Sequence, residues 1–308
     1  MPREIKLRRH LIRLVKSIEN LGLRNGLVIY YYYVYHRLLK SKKWDCQQVS
    51  IRTASKPFWL RPGVSDWIAL ERIFFDREYD PVSKDHDEFL DRCESDLIAS
   101  GKFPLIIDCG ANVGLSSVWF ANRFPRSVVV AVEPEMSNYK VLSLTAKNYP
   151  NIIPVHAAVS NRASRVSMRN QGDTPWSWQT LEEDAGDTQA ITIPHIMAME
   201  SAFAPMVVKV DIEGFETSLF RSGTEWVDDL PLLVFEMHDW MSPGSGSGHS
   251  FFSVLSKLKR DYLIKGENIF SYRGIKPSSP GSAQQDMSSK TCMNPSGQLL
   301  AASLQTRP

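Results

Sequence analysis

The chain has 308 residues, 43% hydrophobic and 23% charged, which is enough for one large domain or two small ones with an ordinary buried core. A formal net charge of +2 does not by itself suggest a dedicated nucleic-acid binder. Cys46, Cys93, Cys109 and Cys292 lie too far apart for a zinc site or a disulfide framework, which suits a reducing compartment.

Residues 1–26 carry Arg3, Lys6, Arg8, Arg9, Arg13 and Lys16 against one early acid, Glu4. Leu7, Leu11, Leu14, Ile18 and Leu21 recur at helical spacing, so an amphipathic helix with a cationic face is predicted. Such a helix packs on its own domain or on a partner chain. The alternative is a peripheral membrane contact through residues 1–40. Leu27–Tyr35 is apolar, but His36 and Arg37 end it well short of the roughly 20 residues that a span needs. No cleavable leader is legible, so the expected location is cytoplasmic. Residues 1–48 read as an N-terminal extension, whose aromatic, amphipathic character makes it a candidate dimer surface.

Residues 49–100 read as a lead-in to the core. Short strands are predicted at Val49–Arg52 and Phe58–Arg61, then a turn at Arg61-Pro62-Gly63. Ser65 or Asp66 caps a helix from Trp67 to about Arg77, with Ile68, Ile73 and Phe74 facing inward. A second helix covers Asp87–Ser100, and Gly101 stops it.

The core is expected over residues 101–273. Leu105–Ile107 is an apolar run ending in Asp108, followed by Gly110-Ala-Asn-Val-Gly114, a helical pattern through Phe124, and the apolar run Val128–Val132 ending in Glu133. Strand, glycine loop, helix and strand open a doubly wound, mostly parallel α/β fold, which binds ligands at the carboxyl ends of its strands. A helix over Ser137–Asn148 leads to a third strand, Ile152–His156. Val166–Arg169 and Ala190–Ile193 are strands of an insertion, separated by a polar loop with Trp176, Ser177 and Trp178. Met206–Val210 and Leu232–Phe235 are the fourth and fifth parallel strands, with a helix beginning at Thr217–Arg221 between them. The glycine/serine run 242–248 reads as a flexible loop, Phe251–Leu258 as a helix, and Tyr262–Ile264 with Ile269–Tyr272 as a closing hairpin. Residues 274–308 lack Phe, Trp and Tyr and read as a disordered tail.

The glycine loop lacks the G-x-G-x-x-G of a dinucleotide site and the lysine of a P-loop. It suits a ligand that lies close to the backbone without a pyrophosphate. Glu133, 19 residues past Gly114, is placed to accept hydrogen bonds from ribose hydroxyls, and Asp108 to meet a cationic part of the ligand. After the fourth strand come Asp211, Glu213 and Glu216; after the fifth, Glu236, His238 and Asp239. The D-x-E and E-x-H alternation puts each pair on one side of an extended segment. Asp211 and Glu236 are candidates to share a divalent cation, and His238 is the alternative general base. Blander roles stand beside these: Glu213 as a helix cap, Glu216 as a solvated first-turn acid, Asp239 as a turn residue, Lys209 as a buried partner of Asp108 or Asp211, and Trp176 with Trp178 closing the insertion over the core.

Asp108-Cys-Gly-Ala-Asn-Val-Gly114, Glu133-Pro134, Lys209-Val-Asp-Ile-Glu-Gly-Phe-Glu216 and Glu236-Met-His238, in that order, resemble the FkbM-type S-adenosylmethionine-dependent methyltransferases. Leu60-Arg-Pro-Gly-Val-Ser-Asp66 and Glu78-Tyr-Asp80 extend the similarity upstream. The resemblance implies a Rossmann-like class I methyltransferase with S-adenosylmethionine as donor. In it, Gly110, Asn112 and Gly114 line the methionine end, Asp108 lies near the amino group, Glu133 holds the ribose, and Ala157 and Ala158 flank the adenine. Apart from the resemblance, their place after the fourth and fifth strands makes Asp211, Glu213, Glu236 and His238 the catalytic candidates. The resemblance further implies O-methylation of a hydroxyl on a small-molecule or glycan acceptor, a carbohydrate or secondary metabolite, and no nucleic acid. Two rivals are an NAD(P)-dependent oxidoreductase, disfavoured by the glycine spacing, and a non-catalytic scaffold with a membrane-surface helix.

Overall fold

The computed structural model describes residues 46–61, 66–170, 178–182, 186–213, 215–240 and 244–274, with part of the stretch 11–34. In that stretch the described residues are helical apart from Gly22, and Leu11 is exposed. Residues 1–10, the loop 171–177 with Trp176 and Ser177, and the predicted tail 275–308 lie outside the described residues. Among the described residues no helix is long and apolar enough to cross a membrane.

The lead-in forms a small antiparallel pair, β1 (Gln47–Val49) and β2 (Phe58–Leu60). Then come α1 (Asp66–Leu70), a π-helical turn (Glu71–Phe75) and α2 (Lys84–Ala99). The single helix expected from Trp67 to Arg77 is therefore an α-turn continued by a wider π-turn. This rotates the side-chain rows: Ile73 and Phe74 are buried as expected, but Ile68 is exposed. Gly101, at φ 76°, follows the end of α2.

The central sheet contains β3 (Phe103–Cys109), β4 (Val128–Glu133), β5 (Ile152–His156), β10 (Phe203–Val210), β11 (Leu232–Glu236), β12 (Arg260–Lys265) and β13 (Asn268–Arg273). Its order is β12-β13-β11-β10-β3-β4-β5, and β13 alone runs against the rest. Helices α3 (Leu115–Arg123) and α4 (Met136–Ala146) cross over between β3, β4 and β5. The chain leaves β3 toward β4 and later returns on its other side as β10, so the strand order reverses between β3 and β10. In a doubly wound sheet that reversal opens a crevice beyond the strand ends.

Alternation along the strands sorts the core into two layers. Leu105, Ile107, Val130, Val208 and Phe235 pack with Ile193 and Ile196 of α5 (Ile193–Met197) and with Phe251 and Leu255 of α7 (Ser247–Leu255). Ile106, Val129, Val207 and Val234 face the other way, onto Trp67, Leu70, Leu90, Val118 and Leu142. The lead-in thus covers one face of the sheet and shares its core.

The insertion is a separate sheet in the order β6-β9-β7-β8: β6 (Ala158–Val159), β7 (Ser164–Asn170), β8 (Trp178–Glu182) and β9 (Thr188–Ile191). Part of the expected polar loop is a strand, because β8 pairs with β7 from Trp178 onward. The glycine/serine run is likewise partly ordered, since α7 begins at Ser247 and the Gly248 N–H donates to Asp239 Oδ2 at 2.8 Å. Asp239 is the turn residue it was expected to be. The helix expected to begin at Thr217 is the single turn α6 (Glu216–Leu219).

Candidate active site

Two cavities open at the reversal point. The first, about 620 Å³ with its mouth, is lined by Gly110, Asn112, Glu133, Ala157 and Ala158, closed by Met168 of β7 and by Phe215. The second, about 1090 Å³, is lined by Asp211, Glu213, Glu236 and His238 on one side and by Ile68, Arg72, Glu78 and Tyr79 of the lead-in on the other. Gly110, Asn112, Asp211 and Glu213 line both, so they form a shared wall.

Five of the seven residues expected to hold the donor meet in the first cavity; Asp108 and Gly114 do not line it. Asp108 is fully buried on the α3 side of β3. Its Oδ2 accepts from the hydroxyls of Ser116 and Ser117, each at 2.6 Å, and its Oδ1 lies 3.1 Å from Lys209 Nζ. The amino group beside Asp108 is therefore that of Lys209. The cause is register: Lys209 on β10 sits directly beside Asp108 on β3, with both side chains on one face. Lys209 also reaches Asp211 Oδ2 at 3.3 Å and donates to the Gly110 carbonyl at 3.1 Å. Opposing charges settle this group: burial works against the ammonium, but Asp108 and Asp211 raise its pKa well above the usual value. Lys209 is thus the buried partner of both acids.

The glycines serve the backbone. Gly110 has φ 77°, and a Cβ there would come within 1.8 Å of the Asp211 carbonyl oxygen. Gly114 has φ 90° at the start of α3, and a Cβ there would meet Leu142 Cδ1 at 2.7 Å. Both positions favour glycine through their left-handed φ, and Gly110 also through the close approach of the Asp211 carbonyl, whatever ligand is present.

Glu133 ends β4, 5% exposed. Its carboxylate accepts from the Asn112 N–H (2.8 Å), the Glu135 N–H (2.9 Å) and the Asn138 amide (3.3 Å). Burial outweighs these bonds and pushes its pKa from 4.5 up to about 7. Asn138 is itself oriented by Arg61, whose Nη2 donates to Asn138 Oδ1 at 2.6 Å while the guanidinium forks onto Asp66 at 2.9 and 3.0 Å. The amide oxygen being taken, the amide N–H₂ faces Glu133. Asn112, at φ 51°, keeps its side-chain Oδ1 buried without a hydrogen-bond partner among the described residues.

The four residues expected to be catalytic come together because β10 and β11 are parallel neighbours. His238 Nδ1 lies 2.6 Å from Glu216 Oε1, and its Nε2 is 3.5 Å from Asp211 Oδ1. Glu216 is fully buried, not solvated, and it orients the imidazole. The N-cap position of α6 is Phe215, not Glu213. It stands at φ 46°, a left-handed conformation costly for glutamate, beside the shared wall. Burial and then the Asp211 charge raise Glu213 to about 9 and Glu236 to about 8. Burial alone would lower His238, but the Glu216 hydrogen bond and the surrounding carboxylates hold it at about 9. Arg72, on the π-turn, reaches Glu236 at 3.5 Å and Glu267 at 2.9 Å and also pairs with Glu78. Arg72, Tyr79 and Trp240 were not found from the sequence. They come from the lead-in and from a turn after β11, where nothing in the pattern signals a cavity wall.

A sheet reversing at β3/β10, a glycine turn ending at an acid-tipped β4, and an acid–histidine cluster at the adjoining strand ends define a Rossmann-like enzyme of the class I methyltransferase kind. The family described as "Methyltransferase FkbM domain" matches residues 108–264, just over half of the chain. The chain belongs to the FkbM family of S-adenosylmethionine-dependent methyltransferases. No curated protein matches it. Among solved structures, it is similar to precorrin-6y C5,15-methyltransferase from Geobacter metallireducens, at 10% identity and a TM-score of 0.35, over 65% of this chain and 96% of that one. It is also similar to Aeropyrum pernix fibrillarin with natively bound S-adenosyl-L-methionine, at 11% identity and a TM-score of 0.35, over 56% and 66% of the two chains.

Proposed function

We propose that the protein transfers a methyl group from S-adenosylmethionine in the first cavity to a hydroxyl of a small-molecule or glycan acceptor in the second. The observation that carries this reading is the shared wall: one cavity fits a nucleoside, the other holds acid–base groups, and both reach Gly110, Asn112, Asp211 and Glu213. The residues present fit the donor. Glu133 suits a ribose, Ala157, Ala158, Met168 and Phe215 suit an adenine, and the unpartnered Asn112 Oδ1 suits an N–H or O–H of the ligand.

When bound, the donor supplies an activated methyl on a sulfonium. The chain's own residues hold the acceptor oxygen in line with it, an entropic contribution that well-oriented reactions exploit heavily. The acceptor oxygen bonds to the methyl carbon as the carbon–sulfur pair returns to sulfur. The hydroxyl proton passes to Asp211, which lines both cavities and whose charge Lys209 and His238 preserve against burial. The lead-in, residues 49–100, supplies the outer wall of the acceptor cleft, and residues 101–273 supply the catalytic core. With Glu78, Asp211 and Glu267 against Arg72, Lys209 and His238, the cleft carries no excess of positive charge to meet a phosphate backbone, which supports a neutral acceptor over a nucleic acid. The test is incubation with methyl-labelled donor and polyhydroxylated acceptors. Label recovered in a methyl ether supports the reading; label recovered only on nitrogen, or none transferred, refutes it.

A further inference from the structure

We propose that Asp211, Glu236 and His238 form a site for a divalent cation of the Mg²⁺/Mn²⁺ class in the acceptor cleft. One ligand atom from each residue can be chosen so that all three lie within 4.8 Å of one another. Oxygen and nitrogen ligands about 2.1–2.3 Å from one ion stand roughly 3–4.5 Å apart, so this spacing is that of a coordination sphere. Asp211 Oδ1 and His238 Nε2, at 3.5 Å, are too far apart for a good hydrogen bond and suitably spaced for two ligands of one ion.

The surroundings point the same way. His238 is 4% exposed, and its Nδ1 is committed to Glu216, leaving Nε2 turned to the cleft with no hydrogen-bond partner among the described residues. Metal-binding imidazoles are held through their other nitrogen in just this manner. The two carboxylates have outer partners as well: Asp211 Oδ2 is held by Lys209, and Glu236 Oε1 faces Arg72. Each candidate carboxylate is thus braced from behind by a cation, and the imidazole by a carboxylate that accepts from its other nitrogen. Asp211 follows the end of β10 and Glu236 ends β11, so paired strands set their separation. Two hard carboxylates with one borderline imidazole match a divalent charge, and three protein ligands leave positions open for water and an acceptor oxygen. That the ion acidifies the acceptor hydroxyl rests on the function proposed above; that the ion binds does not.

The test uses the full chain, stripped with EDTA and titrated with Mn²⁺ while the free-ion resonance is followed by electron paramagnetic resonance. One Mn²⁺ per chain is expected, displaced by Mg²⁺, with a nitrogen coupling from one imidazole in the pulsed spectrum. Glu236→Gln and His238→Gln should each weaken binding at least tenfold, and His238→Gln should remove the nitrogen coupling. Glu216→Gln should weaken binding by roughly 10–100-fold, as supporting partners of metal ligands do. No stoichiometric Mn²⁺, no nitrogen coupling in the wild type, or unchanged affinity in the variants overturns the site. A wild-type chain that binds S-adenosylmethionine but no Mn²⁺ loses the metal site and keeps the methyltransferase reading. The converse result keeps the site and loses the reading.

Discussion

Glu133 gives the sharpest test of the donor cavity, because two observables should move in opposite directions with pH. Its carboxyl is almost fully buried, and burial raises its pKa from 4.5 to about 7. Ribose hydroxyls donate hydrogen bonds, so the donor selects the ionised form. With a pKa of about 7, roughly a tenth of Glu133 is ionised at pH 6 and nine-tenths at pH 8, so S-adenosylmethionine affinity should rise about tenfold over that range. Stability of the unliganded chain takes the other sign. Between 4.5 and about 7 the folded state keeps a proton that the unfolded state has lost, so the Glu133 contribution is fully present below 4.5 and lost as pH rises through about 7. Isothermal titration at several pH values reads the first effect, and denaturant unfolding without ligand reads the second. Glu133→Gln should weaken the donor by about 1–3 kcal/mol at pH 8 and flatten its pH dependence. An affinity that does not change with pH in the wild type, or that changes equally in Glu133→Gln, would refute the reasoning.

Three further outcomes follow from the packing. Gly110→Ala places a Cβ 1.8 Å from the Asp211 carbonyl at a left-handed φ, so thermal unfolding of the unliganded protein should show a loss of about 3 kcal/mol or more. An unchanged melting temperature would mean that the β3–β10 approach is looser than described. Lys209→Met leaves the buried Asp108 without its cation, beside the part-exposed Asp211, and should cost about 3–5 kcal/mol in urea unfolding, with Asp108→Asn restoring part of it. If the double variant is no more stable than Lys209→Met, the pair is not what Lys209 serves. Trp240, 66% exposed at the rim of the second cavity, should tolerate Ala within about 0.5 kcal/mol of stability while the acceptor KM rises and donor affinity holds. An unchanged KM would remove it from the acceptor site.

The order of the core strands was legible because apolar runs end in punctuating residues: Asp108 with Gly110, Glu133 with Pro134, Asp211, and Glu236. The site was legible to the extent that it sits on those strand ends. The directions of side chains were less so. Asp108 read as a ligand contact, but alternation along β3 turns it onto α3, where Ser116, Ser117 and Lys209 consume it. Seeing that required the β3–β10 register, which a local pattern does not contain. Glu216 read as a first-turn acid on a solvated helix. Its helix is one turn long and its side chain is buried, where the carboxylate meets His238 Nδ1 and the Ser247 hydroxyl. The lead-in gave its elements but not its role, because the π-turn that aims Arg72 at Glu236 departs from the helical period used to read it. Arg61 read as part of a turn, yet it positions Asn138 toward Glu133 through a contact 77 residues away in sequence.

The central claim is that the first cavity binds S-adenosylmethionine beside a separate acceptor cleft. Its most direct test is calorimetric titration of the full chain with S-adenosylmethionine at pH 8. One molecule should bind per chain, displaced by S-adenosylhomocysteine and not by NADH. No detectable binding, or displacement by NADH, would contradict it.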